Sequence, residues 1–331
     1  MAKAKEIEGL ECGGAAGAGI ARVLATRLEE TLAFRDEALD FSSDKGVHDM
    51  RVASRRLRSA TRDFMPYLSK KRMADSREEL RRVARVLGAV RDEDVAIALL
   101  GKLAEEAPEE LRAGVGAFAA KREARRVDAR AALVEEFSGD ALARLRENFT
   151  RSLAQADKTR ESEGDAAPLR FADAGREVIV ARWTELEELS RSLYDPFGTE
   201  QLHEMRIAAK RLRYAIELLE PCLGGEALKP FAEEIAEMQK SLGELHDCDE
   251  WIATVGGWLR KDSEASREGG AREEEAERRR AAAFWMLGHF AALRDRHYRD
   301  ALARWRAWEQ EGFAARLRAT TGAQPAPPPQ Q

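Results

Sequence analysis

Three observations on the sequence predict an all-α fold. The 331 residues include only 10 prolines and 24 glycines among abundant Ala, Leu, Arg and Glu, and this composition favours helices. Apolar residues recur at helical spacing, and no segment shows a convincing strand-like alternation. One stretch of the chain also occurs twice at a constant offset, which indicates that the helices form a repeated unit.

The repeat is clearest in two arginine-rich segments. Residues 47–64 read VHDMRVASRRLRSATRDF and residues 202–219 read LHEMRIAAKRLRYAIELL, at an offset of 155. The match continues without a gap to residue 97, where LGAVRDEDV of the first copy corresponds to LGELHDCD of the second. Equal lengths of the intervening helices and connections indicate duplication of a structural unit.

Capping residues and helix breakers predict where the two repeated helices begin and end. Asp44 and Thr199 are suitable N-cap residues at equivalent positions. Pro66 and Pro221, also equivalent, mark the ends of these helices because proline disfavours the helical conformation before it.

The segments that follow the first repeated helix read as two further helices. One covers about 70–87 and ends at Gly88, which suits the C′ position. Asp92 or Asp94 then caps a short helix that reaches about residue 106. Residues 109–156 form one long helix or two, with a break at Ser138 and Gly139.

The predicted organisation has two helical halves. Its segments are a flexible leader at 1–15, an N-terminal half at 16–157, a polar linker at 158–168, a C-terminal half at 169–319 and a disordered tail at 320–331.

Charge is distributed unevenly along the chain. The net charge is −5, yet residues 47–91 contain 13 Lys or Arg against 5 Asp or Glu. Residues 202–246 contain 6 basic against 8 acidic residues. A local basic site in an acidic protein indicates one specific polyanion and argues against general adhesion to nucleic acid.

The sequence contains no signal peptide and no apolar run long enough to span a membrane. Cys12, Cys222 and Cys248 show no paired spacing, so we interpret them as free thiols in a reducing compartment. Together these observations predict a cytoplasmic location.

Each repeated helix carries cations along one face. At 100° per residue, Arg51, Arg55, Arg58 and Arg62 fall within roughly 80° of His48, while apolar residues occupy the opposite side. Such a row repels itself by about 0.2–0.5 kcal/mol per neighbouring pair unless an anion lies against it. The anion could be an external ligand or the carboxylates of adjacent helices; the presence of the row in both copies favours a ligand.

The histidine that opens each row allows several interpretations. His48 and His203 could be hydrogen-bonded structural residues, phosphate contacts, metal ligands or phosphotransfer sites. A metal site is poorly supported, because no second His or Cys stands at ligand spacing and the neighbours are cations. A carboxylate–His–cation arrangement with Asp92 or Asp94 is possible, but capping and pairing with the arginines is the simpler role for those aspartates.

Phosphate suits the row chemically. Guanidinium groups bind phosphate oxygens bidentately and Lys adds a point charge, so a linear phosphate chain matches cations that step along a helix. Nucleic acid fits less well, because no aromatic residues are interleaved for base stacking.

At these residues the sequence resembles the CHAD family, the conserved histidine α-helical domain. The resemblance is carried by HDMRVASRRLR at 48–58, HEMRIAAKRLR at 203–213, LGAVRDEDV at 87–95 and LGELHDCD at 242–249, and it extends over about 17–318. It implies two four-helix bundles related by pseudo-two-fold symmetry, with a basic surface or central pore that binds inorganic polyphosphate. It also implies association with polyphosphate granules.

The resemblance further implies the binding residues. These are His48, Arg51, Arg55, Arg56, Arg58 and Arg85 from the first half, and His203, Arg206, Lys210, Arg211, Arg213 and Lys240 from the second. Additional candidates are Arg62, Arg81, Arg82, Arg91 and His246. Because His246 replaces the arginine at position 91 and two glutamates, Glu217 and Glu237, enter the second half, we expect that half to bind less strongly.

Three functions are consistent with the sequence. The first is non-catalytic binding of polyphosphate by a stand-alone CHAD protein, since the leader is too short for the triphosphatase-type domain that some members carry. It requires no cofactor or metal, and neither nucleic acid nor membrane is an expected partner. The second is a metal-dependent phosphohydrolase or a His phosphotransfer protein, and the third is a structural helical scaffold.

Overall fold

The computed structural model describes residues 4–160, 169–265 and 271–322. Within these ranges every regular element is a helix, which confirms the predicted all-α fold. The α-helices are α1 (Ala16–Ala33), α2 (Arg35–Leu39), α3 (Lys45–Asp63), α4 (Ala74–Glu106), α5 (Glu109–Ser138), α6 (Ala141–Arg160), α7 (Phe171–Leu189), α8 (Thr199–Leu223), α9 (Lys229–Ala265), α10 (Ala271–Gln310) and α11 (Phe313–Thr321). The two arginine-rich segments are α3 and α8.

Two hydrophobic clusters hold these helices together. The larger one combines α1, α3, α7 and α8 with parts of α4, α5, α6, α9, α10 and α11, so both arginine-rich helices bury their apolar faces in the same core. The smaller one lies where the C-terminal parts of α4 and α9 pack on the N-terminal parts of α5 and α10. α3 also contacts α8 and α4 directly, so the two arginine-rich helices are neighbours.

The long helices overturn one prediction from local sequence. Gly88 does not end a helix, because α4 continues through it for 33 residues, and Gly243 likewise lies within α9. Asp92 and Asp94 are therefore helix-interior residues and do not cap a short fourth helix. A single glycine costs a helix about 1 kcal/mol, which tertiary packing on both sides of it outweighs.

The predicted ends of the repeated helices are partly correct. Pro66 follows α3 in a short 3₁₀ turn, but Pro221 lies inside α8, which ends two residues later at Leu223. Asp44 is at the N-cap position of α3 without forming a side-chain capping bond, and Thr199 is the first residue of α8 rather than its cap. The break predicted near Ser138 and Gly139 is confirmed as the junction of α5 and α6.

The N-terminal segment differs from the predicted flexible leader. The backbone N–H of Lys5 donates to Glu30, Arg27 donates to the carbonyl of Lys5, and Ala15 pairs with Arg170 in an isolated antiparallel bridge. These bonds tie residues 4–15 to α1 and to the start of α7. Most of the predicted linker and tail, at 161–168 and 323–331, falls outside the described residues.

The predicted state of the cysteines is wrong for two of the three. Cys12 and Cys222 form a disulfide that links the N-terminal segment to the end of α8. Their 210-residue separation hides the pairing in the sequence, because only the fold brings them together. Cys248 is free and buried, and burial raises the pKa of its thiol to about 11.

Candidate anion-binding cleft

The cationic faces of α3 and α8 meet at a cleft that α4 closes on a third side. Its volume is about 550 Å³. The lining residues are Arg51, Ser54, Arg55, Arg58, Ser59 and Arg62 from α3, Ala84, Arg85, Gly88, Ala89 and Asp92 from α4, and Ile207, Lys210, Arg211 and Tyr214 from α8. Residues predicted from both copies of the repeat therefore line one space.

Most of the polar lining is cationic. Seven predicted residues face the cleft: Arg51, Arg55, Arg58, Arg62, Arg85, Lys210 and Arg211. Two of them are paired, because Arg51 lies 3.1 Å from Asp92 and Arg211 pairs with Glu185 of α7. For the other five, the described residues provide no ion pair. The cleft is thus a concentration of positive charge that the protein itself leaves largely uncompensated.

The pKa values of the lining cations reflect this crowding. Burial, followed by repulsion from Arg55, Arg206, Arg62 and Arg211, lowers the pKa of Lys210 to about 7. Burial and the charge of Arg211 lower the pKa of Arg62 to about 10. The cleft therefore disfavours its own positive charges, and a bound anion would offset the repulsion between them.

Arg206 lies beside this cluster. Burial lowers the pKa of its guanidinium, the Asp247 carboxylate raises it, and the charge of Arg55 lowers it again. Arg206 is thus electrostatically coupled to a cation of the other helix. It lies beside Gly243 of α9, where an added Cβ would make an ordinary contact with Nε at 3.4 Å.

Two predicted binding residues lie outside the cleft because carboxylates hold them. Arg56 is 3.4 Å from Glu30 of α1, and its side chain is only 12% exposed. Arg213 is 3.2 Å from Glu217 on the same helix and is 11% exposed. Neither arginine lines the cationic cleft.

The predicted histidines also lie outside the set of lining residues. The rings of His203 and His246 contact each other at an angle of 38° with their centroids 3.9 Å apart, so the replacement of an arginine by His246 creates an imidazole pair. Burial lowers the pKa of both rings. The charges of His246 and Arg206 lower the pKa of His203 further, and the charge of Arg206 does the same for His246. Burial, followed by the charge of Arg91, also lowers the pKa of His48.

The remaining candidates face elsewhere. Arg91 pairs with Asp44 at 2.5 Å, and Arg81 with Glu78 at 2.8 Å. Arg82 lies 3.9 Å from Glu136. Lys240 lines a separate cleft between α4, α9 and α10. None of the four lines the cleft between α3, α4 and α8.

Several lining residues were not predicted. Ser54 and Ser59 flank the cationic row on α3, and Tyr214 occupies on α8 the position equivalent to Ser59. Ala84, Gly88 and Ala89 supply the small surface of α4, where a Cβ built on Gly88 would meet no atom within 4 Å. The helical wheel of α3 could have indicated the two serines, whereas the face that α4 presents depends on its unbroken course through Gly88.

Other kinds of site find less support in the described residues. They contain no group of three or more His, Cys, Asp or Glu side chains arranged to hold a metal ion. None of the described helices combines the length and hydropathy needed to cross a lipid bilayer.

Comparison with known proteins was consistent with this architecture. Residues 22–256 match the model of the CHAD domain. The crystal structure of the CHAD domain from the plant Ricinus communis superposes with a TM-score of 0.68 at 20% identity, covering 97% of this chain and 96% of that one. PptA from Streptomyces chartreusis superposes with a TM-score of 0.64 at 14% identity, covering 88% of this chain and 100% of that one. No match to a curated protein was found.

Proposed function

The chain belongs to the CHAD family, and from its cationic cleft we propose that it binds inorganic polyphosphate. The observation that carries the proposal is the convergence of five unpaired cations, Arg55, Arg58, Arg62, Arg85 and Lys210, in one cleft built by both repeated helices. A linear polyanion can satisfy such a row without bringing bulky groups into the space. Arginine forks suit the phosphate oxygens, and Lys210 adds a compact charge.

We propose that binding is not coupled to hydrolysis or phosphotransfer. Among the described lining residues Asp92 is the only carboxylate, and it is paired with Arg51. None of the lining residues is a histidine. Incubation with polyphosphate and Mg²⁺ or Mn²⁺ should release no phosphate and leave no acid-labile phosphohistidine; either product would contradict this part of the proposal.

Calorimetric titration with long-chain polyphosphate tests the binding function. We expect tight binding. The logarithm of the association constant should fall linearly with the logarithm of the salt concentration, because neutralising the phosphates releases counterions. The double variant Arg55→Glu/Lys210→Glu should lose binding. The control Arg125→Glu/Arg144→Glu makes the same charge change at two exposed sites on α5 and α6 and should retain it. Absence of heat for the wild-type protein at low salt would reject the function.

The family resemblance extends the proposal to a cytoplasmic location on polyphosphate granules. A fluorescent fusion should then concentrate at such granules, and the Arg55→Glu/Lys210→Glu variant should disperse. A fusion that ignores the granules while the purified protein binds polyphosphate would restrict the proposal to binding alone.

A further inference from the structure

We propose that the hydroxyl groups of Ser54 and Ser59 donate hydrogen bonds to the bound phosphate chain at the floor of the cleft. The inference rests on the proposed function and adds to it two neutral ligand contacts that select bare phosphoryl oxygens. Both serines line the cleft, although neither belongs to the cationic row.

The two hydroxyls are buried without a partner. Ser54 is 1% exposed and Ser59 is 4% exposed, and the described residues offer neither oxygen a hydrogen bond. Thr61 on the same helix behaves differently, because its hydroxyl donates to the carbonyl of Leu57 at 2.8 Å. A buried hydroxyl with no partner is unfavourable, and because both serines line the cleft, a bound phosphate oxygen can supply the missing acceptor.

Their positions on α3 place them on both sides of the cations. On a wheel of 100° per residue, Ser54 lies about 60° to one side of Arg51, and Ser59 lies about 60° to the other side of Arg62. A phosphate group held by the arginines would therefore have a hydroxyl on either flank. Rotation about a single χ1 bond moves each serine oxygen between staggered positions, so it can turn toward the cleft without backbone movement.

Serine also suits the electrostatics of the site. Phosphate oxygens accept hydrogen bonds, and a hydroxyl donates one without adding a positive charge. This matters because the lining cations already repel one another strongly enough to lower the pKa of Lys210 and Arg62. Neutral donors therefore increase contact with the ligand while leaving the repulsion in the empty cleft unchanged.

The opposite wall restricts what can reach the serines. Ala84, Gly88 and Ala89 provide only small side chains there, so the space beside Ser54 and Ser59 lies between two closely packed helices. A bare phosphate chain carries no group larger than its own oxygens into such a space. The sugars of nucleic acid or heparin are bulkier, so we expect their anionic groups to contact the arginines without reaching the serines.

The test compares Ser54→Ala and Ser59→Ala with a matched control, Ser76→Ala. Ser76 on α4 is also fully buried with an unpartnered hydroxyl, but it does not line the cleft. We expect each cleft variant to bind long-chain polyphosphate about tenfold more weakly, the effect of losing one hydrogen bond to a charged acceptor. The control should bind like the wild-type protein.

Salt dependence separates hydrogen bonding from charge. Removing a neutral donor should shift the line of log affinity against log salt without changing its slope, whereas removing an arginine reduces the slope by about 1. Ser54→Cys and Ser59→Cys keep the shape of the side chain with a slightly larger sulfur atom but donate weakly, and should reproduce the loss. Single-stranded DNA and heparin should bind the serine variants and the wild type equally.

The outcomes are distinguishable. A wild-type protein that does not bind polyphosphate would reject the proposed function itself. A wild-type protein that binds, with serine variants within twofold of it, would overturn only the role of the hydroxyls. An equal loss for heparin and DNA would overturn the selection of bare phosphate.

Discussion

Arg51 of α3 donates a hydrogen bond to Asp92 of α4, with 3.1 Å between Nη2 and Oδ1. Their counterparts in the second copy, Arg206 and Asp247, are also electrostatically coupled: burial raises the pKa of Asp247, the charge of Arg206 lowers it, and the charge of Asp92 raises it again. The protein thus places a carboxylate beside one arginine of each repeated helix. These carboxylates compete with an incoming anion for the same guanidinium groups.

Asp92→Asn should therefore strengthen polyphosphate binding. The Asp92 side chain is 68% exposed, so an ion pair of ordinary surface strength is lost, and we expect about a two- to fivefold gain in affinity. Calorimetry at fixed salt measures it. Asp295→Asn is the control, because it makes the same change at an exposed pair with Arg299 on α10, outside the cleft, and should leave affinity unchanged. Weaker binding by Asp92→Asn would mean that the carboxylate positions Arg51 for the ligand.

Neighbouring arginines on α3 should have opposite roles. Arg55→Ala removes a lining cation and should weaken binding about tenfold while reducing the salt slope by about 1. Arg56→Ala removes a partner of buried Glu30 and should lower the free energy of unfolding by about 1–3 kcal/mol, with little change in the salt slope. Chemical denaturation and binding titrations on both variants check these roles. A loss of stability for Arg55→Ala together with a loss of affinity for Arg56→Ala would contradict them.

Gly88→Leu should block the cleft sterically without altering charge. A side chain at this position enters open space on the α4 wall, so we expect at least a tenfold loss of affinity. The melting temperature should be unchanged or higher, because leucine favours the helix by somewhat under about 1 kcal/mol relative to glycine. Gly101→Leu is the matched control on the same helix, also facing open space but outside the cleft. Undiminished binding by Gly88→Leu would place the ligand elsewhere.

Binding should take up a proton near neutral pH. The pKa of Lys210 is about 7 in the empty cleft, and a bound anion favours the charged amine and raises that pKa. Affinity should therefore fall as pH rises from about 6 to 9. Titrations at pH 7.5 in buffers of different ionisation enthalpy would measure the uptake. Lys210→Arg, which stays charged, should abolish the uptake but not the binding; an unchanged uptake would assign the proton to another group.

The lowered pKa of Lys210 also makes the stability of the unliganded protein depend on pH, in the opposite direction to the affinity. Because Lys210 in the folded state holds its proton less tightly than in the unfolded chain, the unfolded state binds more protons between about pH 7 and 10. The contribution of this group to stability therefore increases as pH rises through that range. Denaturation of the wild type and Lys210→Met at several pH values should show this contribution only in the wild type.

Helical periodicity was enough to predict the cationic face of α3 and its partner on α8. Arg55, Arg58 and Lys210 lie in the cleft as that pattern indicates. Arg56 was grouped with Arg55 by the family resemblance, although the two lie 100° apart on the helical wheel. In the structure Arg55 lines the cleft, whereas Arg56 pairs with Glu30, which α1 supplies.

Local signals failed where packing overrides them. Gly88 and the aspartates after it read as a helix end and a cap, yet α4 continues through them and uses the glycine as cleft wall. Lys240 of α9 occupies the position equivalent to Arg85 of α4 but lines another cleft. The equivalent faces of α4 and α9 therefore do not line the same space. The pairing of Cys12 with Cys222 was invisible for a related reason, because it joins segments that only the complete fold makes neighbours.

The Cys12–Cys222 disulfide closes a covalent loop that contains α1 to α7 and nearly all of α8. Both cation-bearing helices lie inside this loop. Such a loop limits the conformational entropy of the unfolded chain and typically stabilises the folded state by about 2–4 kcal/mol. Reduction would lower the free energy of unfolding without changing any contact in the cleft. The fraction of the protein that is folded, and with it the anion site, therefore depends on the redox state of its surroundings.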